Sequence, residues 1–479
     1  MPYALMPSRF VPPPSAPGPA SAPAISLASA LALAMALAAA VALGPPAALA
    51  AEPPAVEWSR IYGGNQGDSF DSVVACADGG ALVAGLSYSA RGDTRGNRGE
   101  ADIWVLRLNA GGGIVWKRSL GGRGFDYVDY AAETSDGGFL LAGGTNTRNG
   151  DFGRGPKPGP GGGSDAWAML MDAGGGTVWI KSYGGAGEDG AGAVLEDPAG
   201  GYLLVGWSSS AGVGRGCGPG PGGASLWALS LGEGGAPGGG ECLATPWPVY
   251  RPLAVRSGGG ALAVANGAEE DGGGALFTAE VGPGPSFGGL KRLEGGPSPR
   301  ASAAAPLRGG GLLAGGCAGY SSDGNGSCQG ALLLRTAPDG STAFMLDPDA
   351  VPTADLRGVA RSKGGYLAAG TAKRRGTGGK GRGAGGEADG DLLALMVSDA
   401  GEVLWKLAMG GSGEDGASSL AVYPDGGMVA AGYTSSWDGD LAFRGRPNRP
   451  DWQNATGWVV KIAPSAQAVQ GITATPESE

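Results

Sequence analysis

The 479-residue chain carries 99 glycines and 35 prolines, 34 basic against 44 acidic side chains, and no histidine. A formal charge of -10 argues against nucleic acid as a partner and favours solubility. Without imidazole, Ser-His-Asp and Cys-His catalysis, HExxH zinc sites and histidine general bases are all excluded.

The first element is an apolar stretch from Ile25 to Leu43, preceded by a single charge at Arg9 and followed by Ala48-Leu49-Ala50. Small residues at those two positions are what a signal peptidase reads, so residues 1–50 are expected to be a signal peptide and the mature chain to begin at Ala51. The expected compartment is therefore secreted, periplasmic or cell-surface, with no membrane span left after cleavage.

From there a two-glycine turn followed by a short apolar run recurs seven times. The copies are DGGALVAG from Asp78, DGGFLLAG from Asp136, AGGYLLVG from Ala199, the degenerate SGGGALAVAN from Ser257, RGGGLLAG from Arg308, KGGYLAAG from Lys363 and DGGMVAAG from Asp425. A period of roughly 50 to 63 residues with turn chemistry intact marks an array of β units. In the first copy the strands are predicted at Phe70 to Ala77, Ala81 to Ser87, Asp102 to Leu108 and Ile114 to Leu120, a four-stranded antiparallel meander built on Asp-Gly hairpin turns.

The predicted outer strand carries a tryptophan and a Gly-Gly pair: Trp116 with Gly121-Gly122, Trp179 with Gly184-Gly185, Trp405 with Gly410-Gly411. Trp58 with Gly63-Gly64 precedes all the other strands, and the last repeat ends at Trp458 to Ile462 without an outer strand. The count closes if Trp58 to Tyr62 completes the last sheet, which removes every open edge. The expected architecture is an all-β, seven-bladed β-propeller over residues 51–463, with 464–479 as a C-terminal tail.

The patterns W-x-K-x-[FY]-G-G-x-x-x-D and D-G-G-[FY]-[LIV]-[LIV]-x-G resemble secreted bacterial β-propeller repeats over about Trp58 to Ile462. The Asp-x-x-Gly-x-x-x-Trp hairpin is similar to quinoprotein-type repeats, in which tryptophans dock adjacent blades. The resemblance implies a propeller and no particular chemistry.

Two groups of residues are candidates for function. Asp68, Asp126, Asp189 and Asp415 each stand four residues after a second glycine, with Arg300 at the matching place in repeat five. Around one mouth of a central channel they would hold a cation such as calcium; alternatively each caps its own turn. The loops between second and third strands hold fifteen of the 34 basic residues, among them Arg374, Arg375, Lys380, Arg382, Arg444 and Arg446, together with Trp437 and Trp452. Such a rim suits a protein partner or an anionic glycan or cell-wall polymer; the alternative is that these are solvated insertions.

Cys217 with Cys242 and Cys317 with Cys328 are placed for two local disulfides, leaving Cys76 in an innermost strand as a small buried residue. The expected role is a monomeric, non-catalytic binding or scaffolding module without a cofactor, calcium aside. The alternatives are a glycan-active enzyme using a carboxylate pair such as Asp126 and Asp129, and a quinone-dependent dehydrogenase.

Overall fold

The computed structural model describes residues 52–465 except 95, 154–162, 212–215, 221, 248, 250–251, 258–259, 269–273, 283, 321–327, 374–389 and 442–454. Strand β1 (Val56–Tyr62) stands apart in sequence from its sheet. Blade 1 is β2 (Asp68–Ala75), β3 (Ala81–Ser87), β4 (Asp102–Leu108) and β5 (Ile114–Leu120). Blade 2 is β6 (Asp126–Glu133), β7 (Phe139–Thr145), β8 (Asp165–Met171) and β9 (Thr177–Tyr183). Blade 3 is β10 (Asp189–Glu196), β11 (Tyr202–Ser208), β12 (Ser225–Leu231) and β13 (Pro237–Ala244). Blade 4 is β14 (Leu253–Ser257), β15 (Gly260–Ala268), β16 (Gly274–Val281) and the three-residue β17 (Lys291–Leu293). Blade 5 is β18 (Arg300–Pro306), β19 (Leu312–Ala318), β20 (Gly330–Thr336) and β21 (Thr342–Met345). Blade 6 is β22 (Ala354–Ser362), β23 (Gly365–Lys373), β24 (Gly390–Val397) and β25 (Val403–Met409). Blade 7 is β26 (Asp415–Val422), β27 (Met428–Thr434) and β28 (Thr456–Ile462), completed by β1.

Each sheet is a four-stranded antiparallel meander, and the innermost strand of each blade packs on that of the next until β26 meets β2. The seven-bladed β-propeller is closed as its tryptophan count requires: Trp58 pairs with Lys461 and Tyr62 with Gly457. Trp458 Nε1 also donates to Ser59 Oγ at 2.8 Å across that junction. The tryptophans of the outer strands reach to the next blade, where Trp58 Nε1 donates to Ala110 O (2.8 Å) and Trp116 Nε1 to Ala173 O (3.1 Å). No helix among the described residues is long and apolar enough to cross a membrane.

The core lies between blades. At the junction of blades 7 and 1, Tyr62, Phe70, Val83, Trp104, Leu106, Val429 and Val459 bury one another, and the rings of Phe70 and Trp104 stack at 4.4 Å. The glycine ending each apolar run has a packing reason. Gly143 pairs with Trp167, and a Cβ at Gly143 would fall 2.0 Å from the Tyr127 carbonyl oxygen. That carbonyl instead accepts the Trp167 indole N–H at 2.9 Å. The same close approach recurs at Gly85, Gly206, Gly370 and Gly432, and in blade 5 at Gly316, one residue past the glycine that ends the run.

Opposite these glycines the innermost strand bulges. The pairing slips by one residue at Asp71 in β2, Asp129 in β6, Gly192 in β10, Ser302 in β18, Arg357 in β22 and Ser418 in β26. Blade 4, whose run ends in Asn266 rather than glycine, pairs β14 with β15 without a slip. A bulge leaves one residue out of the ladder and re-aims its side chain, so the repeat glycine and the bulge form one device.

Candidate functional site

All six bulged residues line one cavity. It holds about 310 Å³ and is walled by Asp71, Asp129, Gly192, Ser302, Arg357 and Ser418 together with Pro252, Leu253, Asn266, Arg300, Ala301 and Asp355. Every innermost strand contributes, so the cavity is the central channel. The residues that face it differ from blade to blade, whereas the flanking apolar residues and glycines repeat. Charge is unevenly shared. Blades 1 and 2 supply Asp71 and Asp129, and blades 5 and 6 supply Arg300, Asp355 and Arg357.

On the cationic side Asp355 is held from two directions, by Arg357 Nε at 3.0 Å and by Ser302 Oγ at 3.1 Å. The Arg357 side chain keeps 43% of its surface solvent-accessible, so the pair does not consume its guanidinium. Arg300 lies over the Tyr320 ring at 4.8 Å, a cation–π arrangement that fixes it without neutralising it. At the mouth, a pocket of about 140 Å³ brings Arg300, Arg357 and Lys373 together with Tyr320, Tyr433, Asp355 and Glu414. In sequence, Lys373 directly precedes Arg374 and Arg375.

The four repeated aspartates sit elsewhere. Each opens an innermost strand and is bonded within its own blade. Asp68 accepts Gly64 N–H (2.7 Å) and the hydroxyls of Ser87 (2.5 Å) and Ser89 (2.9 Å). Asp126 takes Gly122 N–H, Thr145 and Thr147; Asp189 takes Gly185 N–H, Ser208 and Ser210; Asp415 takes Gly411 N–H, Thr434 and Ser436. Burial raises the Asp68 and Asp126 carboxyls above the usual carboxylate range, against the opposing pull of these donors. Each aspartate therefore fastens its own turn and second strand. Among the described residues no group of three or more acidic or cysteine side chains converges as a metal-ligand set. Arg300 does not occupy the matching place: it pairs with Cys317, one step nearer the bulge than Asp68 opposite Ser87. That offset aims Arg300 into the channel.

A second recurring latch was not foreseen from the sequence. Short 3-10 turns at Gly92–Thr94, Gly150–Phe152 and Gly439–Leu441 each carry a Gly-Asp pair. The aspartates Asp93, Asp151 and Asp440 accept the N–H of Gly63, Gly121 and Gly410 at 3.3, 3.0 and 3.1 Å. Each returns its own N–H to the carbonyl of the same glycine.

No protein-family model matches the chain, and no curated protein does so significantly. Among solved structures the chain is similar to puromycin hydrolase, at 17% identity and a TM-score of 0.45, over 80% of this chain and 53% of that one. It therefore spans about half the length of that protein. It is also similar to BBS1N in complex with ARL6DN (10% identity, TM-score 0.41, 87% and 98% covered). A third is a GH43_1 enzyme from Xanthomonas citri (13% identity, TM-score 0.28, 58% and 89% covered).

Of the predicted rim, Trp437 is 44% exposed on the segment after β27. Arg374, Arg375, Lys380, Arg382, Arg444, Arg446 and Trp452 lie outside the described residues. Arg98, from the same class of loop in blade 1, is a joint between blades, paired with Asp151 and lying 3.5 Å from Asp102. The suggested carboxylate pair of Asp126 and Asp129 divides, Asp126 being bonded inside its blade and Asp129 turned to the channel. Cys217 is bonded to Cys242 and Cys317 to Cys328. Cys76 is buried but falls one residue beyond β2, in the turn, and burial pushes its thiol up to about 11.

Proposed function

We propose that the protein is an exported, non-catalytic binding module that takes an anionic polymer, a glycan or cell-wall polysaccharide, at the channel mouth between blades 5 and 6. The observation that carries this reading is the gathering of Arg300, Arg357 and Lys373 beside Tyr320 and Tyr433 in one open pocket of an otherwise acidic protein. Guanidinium groups suit bidentate recognition of carboxylate or sulfate, and aromatic faces suit sugar rings. In sequence, Lys373 is followed by four further basic residues, Arg374, Arg375, Lys380 and Arg382.

The test is chromatography on immobilised polygalacturonate, with neutral dextran as control. Wild type is expected to be retained and eluted by salt, and the triple variant Arg300→Ser, Arg357→Ser, Lys373→Ser to pass through while melting cooperatively. Failure of wild type to bind the acidic matrix refutes the reading. A carboxylate-dependent glycan hydrolase is the second reading, favoured by one observation: Asp71 and Asp129, on neighbouring blades, both open on the channel. It requires glycan cleavage that Asp129→Asn abolishes.

A further inference from the structure

In blades 1 to 6 a backbone hydrogen bond closes the turn ahead of the outer strand, running from Asn109 N–H to Gly113 O in blade 1, from Gly282 to Ser286 in blade 4 and from Ala337 to Ser341 in blade 5. Seven residues after the donor of that bond stand, in blade order, Trp116, Trp179, Gly239, Gly289, Phe344 and Trp405. A ring at this position covers the turn of the following blade. A Cβ on the turn glycine would lie 2.9 Å from Trp116 Cδ2 at Gly175, 2.6 Å from Trp179 Cε3 at Gly235 and 3.4 Å from Phe344 Cδ2 at Gly401. Trp58 lies on Gly112 in the same way, and the indoles of Trp58 and Trp116 donate to Ala110 O and Ala173 O, each one residue after the turn donor.

Blades 3 and 4 supply glycine where the others supply a ring. Between blades 3 and 4 the gap is narrowed by Pro285, which stands in place of the turn glycine, 3.8 Å from where a Cβ on Gly239 would be. Between blades 4 and 5 no described ring takes the position. A Cβ on Gly289 would meet no atom within 4 Å, and one on Gly340, the turn glycine of blade 5 at φ +83°, would meet only Lys291 Cδ at 3.8 Å. The result is a cavity of about 490 Å³, lined by Leu262, Thr278, Phe287, Leu293 and Pro338 besides the two glycines. That volume falls within the ~300–1,000 Å³ of small-molecule sites. Glu280 and Lys291 also line it; their carboxylate and ammonium are 3.5 Å apart and mostly exposed.

We propose that the slot between blades 4 and 5 binds a small molecule of the indole class, whose ring takes the place that Trp58, Trp116 and Trp179 fill at other seams. The ring lies over Gly340, where a positive φ disfavours any residue with a Cβ and so keeps the floor flat. Its N–H meets the carbonyl of Pro338, the counterpart of Ala110 and Ala173 one residue after the turn donor. Glu280 and Lys291 receive the charged substituents of a molecule such as tryptophan. The occupant enters as a ring and not as an added peptide strand, because the edge of β16 is already met: Gly288 N–H donates to Glu280 O at 2.8 Å, and Val281 bridges Phe287.

The test is isothermal titration of the full chain with L-tryptophan, indole and benzofuran. Tryptophan and indole are expected to bind with a dissociation constant of about 0.1 mM. Benzofuran, which lacks the N–H, should bind about fivefold more weakly. Gly289→Trp puts the chain's own indole in the slot, and this variant is expected to bind none of the three and to melt above wild type. Should Gly289→Trp fail to fold, Gly289→Phe is read the same way. The proposal is overturned if wild type binds neither tryptophan nor indole, if benzofuran binds as tightly as indole, if the Gly289 variants still bind, or if only a tryptophan-bearing peptide binds.

Discussion

Replacing Gly143 with alanine tests whether the repeat glycine and the channel bulge are one device. The new Cβ would fall 2.0 Å from the Tyr127 carbonyl oxygen and 2.9 Å from Val128 Cα, both backbone atoms of the bulging strand. Relief requires that strand to move by about 1.5 Å, since non-bonded carbon contacts sit near 3.5 Å. The move breaks the bond from the Trp167 indole to Tyr127 O and displaces Asp129. Overpacking of this kind costs about 3 kcal/mol, which at an unfolding entropy of ~2.1 cal/mol/K per residue over roughly 400 residues lowers Tm by about 4 °C. Gly111 is the control: its Cβ would meet nothing nearer than Asn109 Oδ1 at 3.6 Å. Gly111→Ala should leave Tm unchanged or slightly raised. Differential scanning calorimetry of the two variants decides, and equal melting temperatures would refute the coupling of glycine to bulge.

Two further outcomes are expected. Burial, with the facing Asp126 or Asp189, raises the Asp102 and Asp165 carboxyls to about 6. The folded state then holds protons that the unfolded chain releases near pH 4, so this contribution to stability is complete below pH 4 and is lost as pH rises through 6. Melting curves should show it, and the double variant Asp102→Asn, Asp165→Asn should flatten the slope; an unchanged slope between pH 4 and 7 contradicts the assignment. Deleting residues 51–64 removes β1 and leaves β28 as an open edge, so the chain should aggregate or lose its cooperative transition. An intact transition in light scattering and calorimetry argues that the ring holds without its clasp.

The blades were legible because their signals are local. Asp-Gly turns, apolar runs and tryptophan spacing place β3, β4 and β5 at Ala81–Ser87, Asp102–Leu108 and Ile114–Leu120, as the sequence predicts. The innermost strand was misplaced: β2 runs Asp68–Ala75, two residues earlier than expected at both ends. Its boundaries answer to the bulge, which depends on the partner strand and on the channel rather than on nearby residues. The same slip put Arg300 in the wrong register and hid Asp71 and Arg357, while Asp129 was singled out only as a partner for Asp126. A trace does exist in the sequence, a polar residue breaking alternation three places after the turn aspartate, as in Asp68 to Asp71 and Asp126 to Asp129. The Gly-Asp turns at residues 92, 150 and 439 recur with equal regularity, each aspartate 30 residues after the glycine it bonds, but two strands lie between and the constant spacing reads as a contact only once they have folded.

The pairing of Trp58 with Lys461 also bears on how the ring is made. Closing a loop of roughly 400 residues costs about 5 kcal/mol of chain entropy, and six blades can form before it is incurred. The last sheet is therefore the natural late step of folding and the place where unfolding begins. Among the described strands the one that receives β1 is the last in chain order, so this sheet cannot be completed before the sequence of every other blade has been made.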